Sequence, residues 1–284
     1  MTVMKITFWG TRGSIASPGP ETLIYGGNTT CLEMTLSSGR TVIIDSGTGI
    51  RRLGDALLKE RKHLDLTLLI THIHWDHVVG FPFFEPVFDA NCRIVVDGCH
   101  NGLDGLRHIF SNRHVDGTWP IKFEDLKAEI VVRGELPAGR TMLDSTEVRS
   151  QPLQHPQGGL GFKFTEESGS FVFLTDNELT ENAWKGTAKK DFIDFCRDAD
   201  LLVHDCQYLP EEMDVRKGWG HSDLDSVATL AMEAGVRRLV LFHHDPRRTD
   251  EDVSAMVDRC KETFDKADVL TSVEGAREGT TLMV

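Results

Sequence analysis

Basic residues are in deficit: 31 Lys and Arg stand against 44 Asp and Glu, a formal charge of −13. Such a surface repels a long polyanion before contact, which disfavours an extended nucleic acid as substrate and leaves a small anion less affected. The six cysteines, Cys31, Cys92, Cys99, Cys196, Cys206 and Cys260, form no CxxC pair and no short-spaced array. A zinc knuckle and a disulfide framework are thereby excluded, and buried free thiols are expected. No apolar run approaches the roughly 20 residues that cross a bilayer, and the opening MTVMKITFWG lacks the basic segment, apolar stretch and cleavage site of a secretory signal. A cytoplasmic protein with no membrane contact is the expectation. Neither a Pro/Gly/Ser-rich linker nor a fixed-period repeat divides the chain, so one domain over 1–284 is the economical organisation.

What is present is enough apolar residue, 40% of the chain, to build a sizeable core. Short runs rich in β-branched residues recur at Ile6–Trp9, Thr41–Ile44, Leu66–Ile70, Arg93–Val96, Phe171–Leu174, Leu201–Val203 and Leu239–Phe242. They read as strands, several buried on both faces. Helical segments fall between them, the clearest being Ser222–Ala234 behind a Ser-Asp cap and Thr249–Phe264, where Thr249 and Asp252 have capping-box spacing. Sheets covered by helices follow from this alternation. The stretch from about 101 to 140 is least regular and reads as an insertion of loops and short elements that helps shape a pocket.

One motif carries the chemistry. Directly after the run Leu66–Ile70 comes Thr71-His72-Ile73-His74-Trp75-Asp76-His77. In extended chain alternate side chains share a side, so His72 and His74 can bind one metal ion, and the turn that follows can aim Asp76 and His77 at a second. Neutral imidazole and carboxylate suit zinc, and also manganese or iron. Packing alone supplies no reason to alternate three histidines with an aspartate at a strand end.

This array resembles that of the metallo-β-lactamase superfamily, whose fold is an αββα sandwich of two mixed sheets flanked by helices. The resemblance implies later ligands in order: His155 in Leu-Gln-His-Pro, Asp176 closing Phe-Val-Phe-Leu-Thr-Asp as a bridging carboxylate, and a last histidine in Leu-Phe-His243-His244-Asp. Either histidine of that pair could coordinate; position after Phe242 favours His243. The metal set is then His72, His74, Asp76, His77, His155, Asp176 and His243, holding two divalent ions, Zn2+ first and Mn2+ or Fe2+ as alternatives. Asp45 matches the superfamily's first motif, where it braces the ligand loop by hydrogen bonds.

Two further segments resemble the ribonuclease Z branch. His204-Asp205-Cys206-Gln207 looks like its His-Glu-Ala-Thr segment, with Asp205 for Glu, and Gly220-His221-Ser222 looks like its His-Ser-Thr loop. The resemblance implies that Asp205 orients His221, which protonates the departing oxygen, while Asp76 orients a hydroxide bridging the two metals. Phosphodiester hydrolysis is therefore expected, in a small anionic substrate such as a cyclic nucleotide. A nuclease on short RNA or DNA, a lactonase or thioesterase in which Asp205 and His221 would be dispensable, and a non-catalytic metal-binding protein are the alternatives; a homodimer is compatible with each. The loops Gly10–Ser14 and Gly26–Cys31 resemble those of small-molecule phosphodiesterases and either form turns or offer N–H groups to a phosphate. Trp75, Phe81, Phe83, Phe84 and Trp119 are either core or platforms for a base.

Overall fold

A computed structural model describes residues 3–60, 63–110, 120–180 and 188–284. Its strands are β1 (Lys5–Gly10), β2 (Cys31–Thr35), β3 (Thr41–Ile44), β4 (Leu64–Ile70), β5 (Cys92–Gly98), β6 (Glu129–Val132), β7 (Arg140–Leu143), β8 (Thr146–Pro152), β9 (Leu160–Glu166), β10 (Gly169–Leu174), β11 (Leu201–Asp205), β12 (Arg238–Phe242), β13 (Ser272–Gly275) and β14 (Thr281–Met283). The helices are α1 (Ile50–Glu60), α2 (Trp75–Val78), α3 (Gly102–Ile109), α4 (Lys189–Cys196), α5 (Met213–Arg216), α6 (Leu224–Glu233) and α7 (Asp250–Lys266).

The strands form two mixed sheets, ordered β14-β1-β2-β3-β4-β5-β6 and β13-β12-β11-β10-β9-β8-β7. In each sheet one half is antiparallel and the other parallel, β3 to β6 and β10 to β13. Alternation along the strands sorts the core into three layers. Phe171, Phe173, Val203, Val240 and Phe242 meet Ile6, Phe8, Val42 and Ile44 between the sheets. On one outer face Val172, Leu174, Leu202, Leu239 and Leu241 pack under α4, α6 and α7, and on the other Ile43, Leu66, Leu68 and Ile70 pack under α1 and α3. The result is an αββα sandwich, and it explains the near-continuous apolar runs: strands with helices on one face and a second sheet on the other have no wet side.

Helix ends follow local chemistry. Thr249 caps α7 by accepting the N–H of Asp252, whose carboxylate reaches back to Thr249. Asp223, not Ser222, is the capping residue of α6, so the helix begins at Leu224. All six cysteines are free, five of them buried. Among the described residues no helix is long and apolar enough to cross a membrane.

Candidate metal centre

The site forms where parallel strands end. β3, β4, β10, β11 and β12 release Asp45, the His72–His77 segment, Asp176, Asp205 and His243 at the same edge of the sandwich, because parallel strands put their carboxyl ends together. Asp45, Asp176 and His243 take left-handed backbones, with φ of 61°, 50° and 57°. Such conformations cost of order 1 kcal/mol or more and persist where the surroundings over-determine them.

Two groups of donor atoms meet across Asp176. Its Oδ1 lies 3.1 Å from both His77 Nε2 and His243 Nε2, and Asp76 Oδ2 lies 3.3 and 3.2 Å from the same nitrogens. Its Oδ2 lies 3.6 Å from His72 Nε2 and 3.7 Å from His155 Nε2, and the latter is 2.9 Å from His74 Nδ1. His72, His74 and His155 thus form one set, and Asp76, His77 and His243 another, with one carboxylate between them. The structure brings all seven sequence-derived candidates together.

The donor chemistry fits divalent cations. Ligands at about 2.0–2.1 Å in a tetrahedron stand about 3.3 Å apart, close to the separations found here. Both His72 Nε2 and His77 Nε2 are buried without a hydrogen-bond partner. Each cluster histidine spends its other nitrogen on a neighbouring oxygen: His77 Nδ1 donates to Asp45 at 2.8 Å, His243 Nδ1 to Gln207 at 3.1 Å, His72 Nδ1 to Thr71 at 3.1 Å, His155 Nδ1 to the Gly220 carbonyl at 3.0 Å and His74 Nε2 to Gln157 at 3.2 Å. That leaves lone pairs converging from every ring, the arrangement metal-binding imidazoles adopt. Without a cation, protons must balance the carboxylates: burial works against a charged His77, yet Asp176, Asp76 and Asp45 together raise it well above its ordinary value. His155, desolvated by burial, is depressed to about 4 and stays neutral.

Beside the cluster, His221 Nδ1 donates to Asp205 Oδ2 at 2.8 Å, and its ring stacks 5.0 Å from His243. Asp205 Oδ1 accepts the N–H of Ser222 at 2.8 Å, which ties the loop carrying His221 to the end of β11. Asp45 accepts three hydrogen bonds, from Thr71 N, Thr71 Oγ1 and His77 Nδ1, at 2.7–2.8 Å. The other histidine of the C-terminal pair faces elsewhere: His244 donates to the Ala276 carbonyl at 3.1 Å and packs edge-on to Tyr25.

The N-terminal glycine loop does not present its N–H groups to a ligand. Those of Thr11 and Arg12 go to Asn28, that of Gly13 to His244 and that of Ser14 to Asp76 at 2.8 Å. Gly13 is required by close approach, since a Cβ there would lie 2.3 Å from His243 Nδ1. The aromatic candidates divide: Phe81 and Phe84 are core, Trp75 and Phe83 are exposed, and Trp119 lies outside the described residues.

Sequence reasoning missed Asn177 and Glu178. Asn177 accepts the N–H of Gln154 at 3.0 Å and donates to His204 at 3.2 Å. The buried Glu178 carboxylate accepts N–H bonds from Gly218 and Gly220 at 2.9–3.0 Å. Three consecutive residues, Asp176 to Glu178, therefore hold the metal cluster, the His155 loop and the His221 loop in turn. An acid two positions after the candidate ligand Asp176 was the only signal in the letters.

Comparisons agree with this architecture. Residues 40–244 match the family model for the beta-lactamase superfamily domain. A ribonuclease Z of Methanosarcina acetivorans is 42% identical over 305 residues, covering 93% of this chain and 94% of that protein. Among solved structures, the metallo-β-lactamase fold protein YhfI of Bacillus subtilis superposes with a TM-score of 0.72 at 16% identity, covering 99% of this chain and all of that one. Unliganded yeast PDE1 gives 0.70 at 13% identity, with full coverage of both chains. On the matched domain and the ribonuclease Z relative, the chain belongs to the metallo-β-lactamase superfamily and resembles its ribonuclease Z branch.

Proposed function

We propose that this protein is a dinuclear metal-dependent phosphodiesterase acting on a small diester such as a cyclic nucleotide. The observation that carries the reading is the Asp205–His221 pair set against the seven-residue cluster, His221 lying 2.8 Å from Asp205 and 3.9 Å from Asp176. Thioester hydrolysis releases a thiolate that needs little help from an acid, whereas a diester expels an alkoxide that must be protonated; a lactone does so too, and the ribonuclease Z relative favours the diester.

His72, His74 and His155 would hold one ion, Asp76, His77 and His243 the other, and Asp176 both. When bound, divalent ions bring the pKa of water toward about 7 and neutralise charge on phosphate oxygens. The remaining work belongs to the side chains. Asp76 Oδ2, held by the Ser14 N–H, orients the attacking water. His221 holds the proton for the leaving oxygen on Nε2, because Nδ1 is engaged by Asp205. Burial disfavours its imidazolium, but Asp205, Asp176 and Asp76 more than offset that and raise it above its ordinary value, which favours the proton-carrying form an acid needs. Asp45, Gln207 and Gly220 fix the ring orientations.

The formal charge of −13 supports a small substrate. The ribonuclease Z relative supports the second reading, a nuclease on RNA. Elemental analysis combined with bis(p-nitrophenyl) phosphate hydrolysis tests the class, and cyclic nucleotides against short RNA test the substrate. Two metals per chain with diesterase activity that is lost in Asp76→Ala is the expected result; metal without diesterase activity would sink the reading.

A further inference from the structure

A cleft of about 260 Å³ opens beside the cluster at His72 and His74. Its walls are Ile73, the turn between β5 and α3 at Cys99, His100 and Asn101, Pro137, and the turn from Gln157 to Leu160 that leads into β9. Asn101 and Pro137 sit near opposite ends of the irregular 101–140 stretch, so that stretch contributes a wall to the site.

Two properties of the lining restrict its occupant. First, no Lys, Arg, Asp or Glu is among the described residues that line it. Among the described residues it offers no cationic side chain to a second phosphate and no carboxylate to a cation, although this chain is 26% charged. Second, apolar surface from Ile73, Pro137 and Leu160 is interrupted by the carboxamides of Asn101 and Gln157 and the imidazole of His100. Apolar walls with a few placed polar groups suit a flat uncharged heterocycle, whose edge carries donors and acceptors.

The carboxamides are available. Asn101 stands at the N-terminus of α3 yet makes no capping hydrogen bond, so it keeps a donor and an acceptor for a ligand. Gln157 takes the His74 Nε2–H at 3.2 Å on its oxygen, which leaves its NH2 group and couples the cleft to a candidate metal ligand. Its backbone is left-handed, φ 67°, a conformation that a non-glycine residue keeps where the surroundings hold it. The volume lies just below the range of about 300–1,000 Å³ usual for small-molecule sites, room for one nucleoside and not for a run of nucleotides.

We propose that this cleft seats the nucleoside of the substrate, with the base between Ile73, Pro137 and Leu160 and its edge bonded by Asn101 and Gln157, while the phosphate lies at the cluster. His221 does not line the cleft, so the departing oxygen is free to lie on the other flank. The inference rests on the phosphodiesterase reading and narrows it to mononucleotide-sized diesters.

The test compares two kinds of ester that release the same p-nitrophenolate: methyl p-nitrophenyl phosphate, and the 5′-(p-nitrophenyl) phosphates of thymidine and adenosine. At least one nucleoside ester should be preferred in kcat/KM by about ten-fold or more, mostly through KM. That preference ratio should fall about ten-fold in Asn101→Ala, which removes hydrogen bonds, and in Leu160→Trp, which fills the cleft; melting curves and metal content show which variants are folded. Hydrolysis of all esters without preference, or a preference that survives in a folded variant of either kind, overturns the cleft assignment alone. Hydrolysis of none of them by metal-loaded wild type overturns the phosphodiesterase reading and the cleft with it.

Discussion

The buried carboxylate of Glu178 accepts the backbone N–H of Gly220 at 2.9 Å, and the Gly220 carbonyl in turn receives the Nδ1–H of His155. One acid thus sets the orientation of a candidate ligand and the course of the loop that carries His221. A Cβ at Gly220 would lie 2.0 Å from His155 Nδ1, so nothing larger than glycine fits between the two.

Replacing Glu178 leaves the buried Gly220 N–H and the half-buried Gly218 N–H without their carboxylate partner. Glu178→Ala should lower metal affinity and kcat by about 10–100-fold, as loss of an orienting partner does at metal sites. Chelator competition on the purified protein reads the affinity without reference to turnover. Wild-type affinity and kcat in a folded variant would show the turn to be held by other contacts.

The pair of His221 and Asp205 predicts a pH profile. Burial depresses the imidazolium and the carboxylates of Asp205, Asp176 and Asp76 outweigh it, so the folded-state value stands above the ordinary one. A general acid works while protonated, so activity should fall as pH rises through that raised value. Asp205→Asn removes the leading favourable charge and should move the alkaline limb to lower pH, with kcat reduced about 100-fold or more. An unmoved limb would assign the proton to another group.

Gly13 makes a packing prediction. In Gly13→Ala the new methyl meets His243 Nδ1 at 2.3 Å and displaces the ring from Gln207. Overpacking of this kind costs about 1–3 kcal/mol, and the group formed by Asp76, His77, Asp176 and His243 should lose metal before the group containing His72. Equilibrium dialysis that finds unchanged stoichiometry and affinity would remove His243 from the ligand set.

His244 links stability to acid. Desolvation by burial lowers it to about 3 in the folded chain, against about 6.5 when exposed. As pH falls below about 6.5 the unfolded chain takes up a proton that the folded chain refuses until about 3. The stabilisation from neutral His244 is complete above about 6.5 and lost across that window, at about 1.4 kcal/mol per pH unit. Urea unfolding at pH 7.5 and 5.5 should show a smaller acid loss in His244→Gln than in wild type; equal losses would mean that other histidines account for the acid limb.

Legibility in the letters followed burial. Strands wrapped on both faces, such as β4, β10, β11 and β12, announce themselves as apolar runs. The antiparallel strands β7, β8 and β9 keep a partly solvated face and carry Arg140, Glu147, Arg149 and Lys163, so their alternation is weak and only the sheet reveals them. The glycine loop near the N-terminus carried two readings, turn or phosphate cradle, because glycine serves both. Its N–H groups prove to be spent on Asn28, His244 and Asp76.

The candidate donors were legible in sequence, the first four in the His72–His77 array that follows a strand and the later three through its resemblance to the superfamily, and they meet because parallel strands end together. The orientation of each ring was decided only by tertiary structure. Position after Phe242 favours His243 over His244 in the letters, but the physical reason is tertiary: a left-handed backbone at 243 and partners at Gln207 and Ala276 send the first into the cluster and the second to Tyr25. Glu178, Gln207 and Gly220 act on groups 36 to 65 residues away, and contacts of that range leave no local pattern: they exist because the two sheets close on one another and bury the groups that must then find partners.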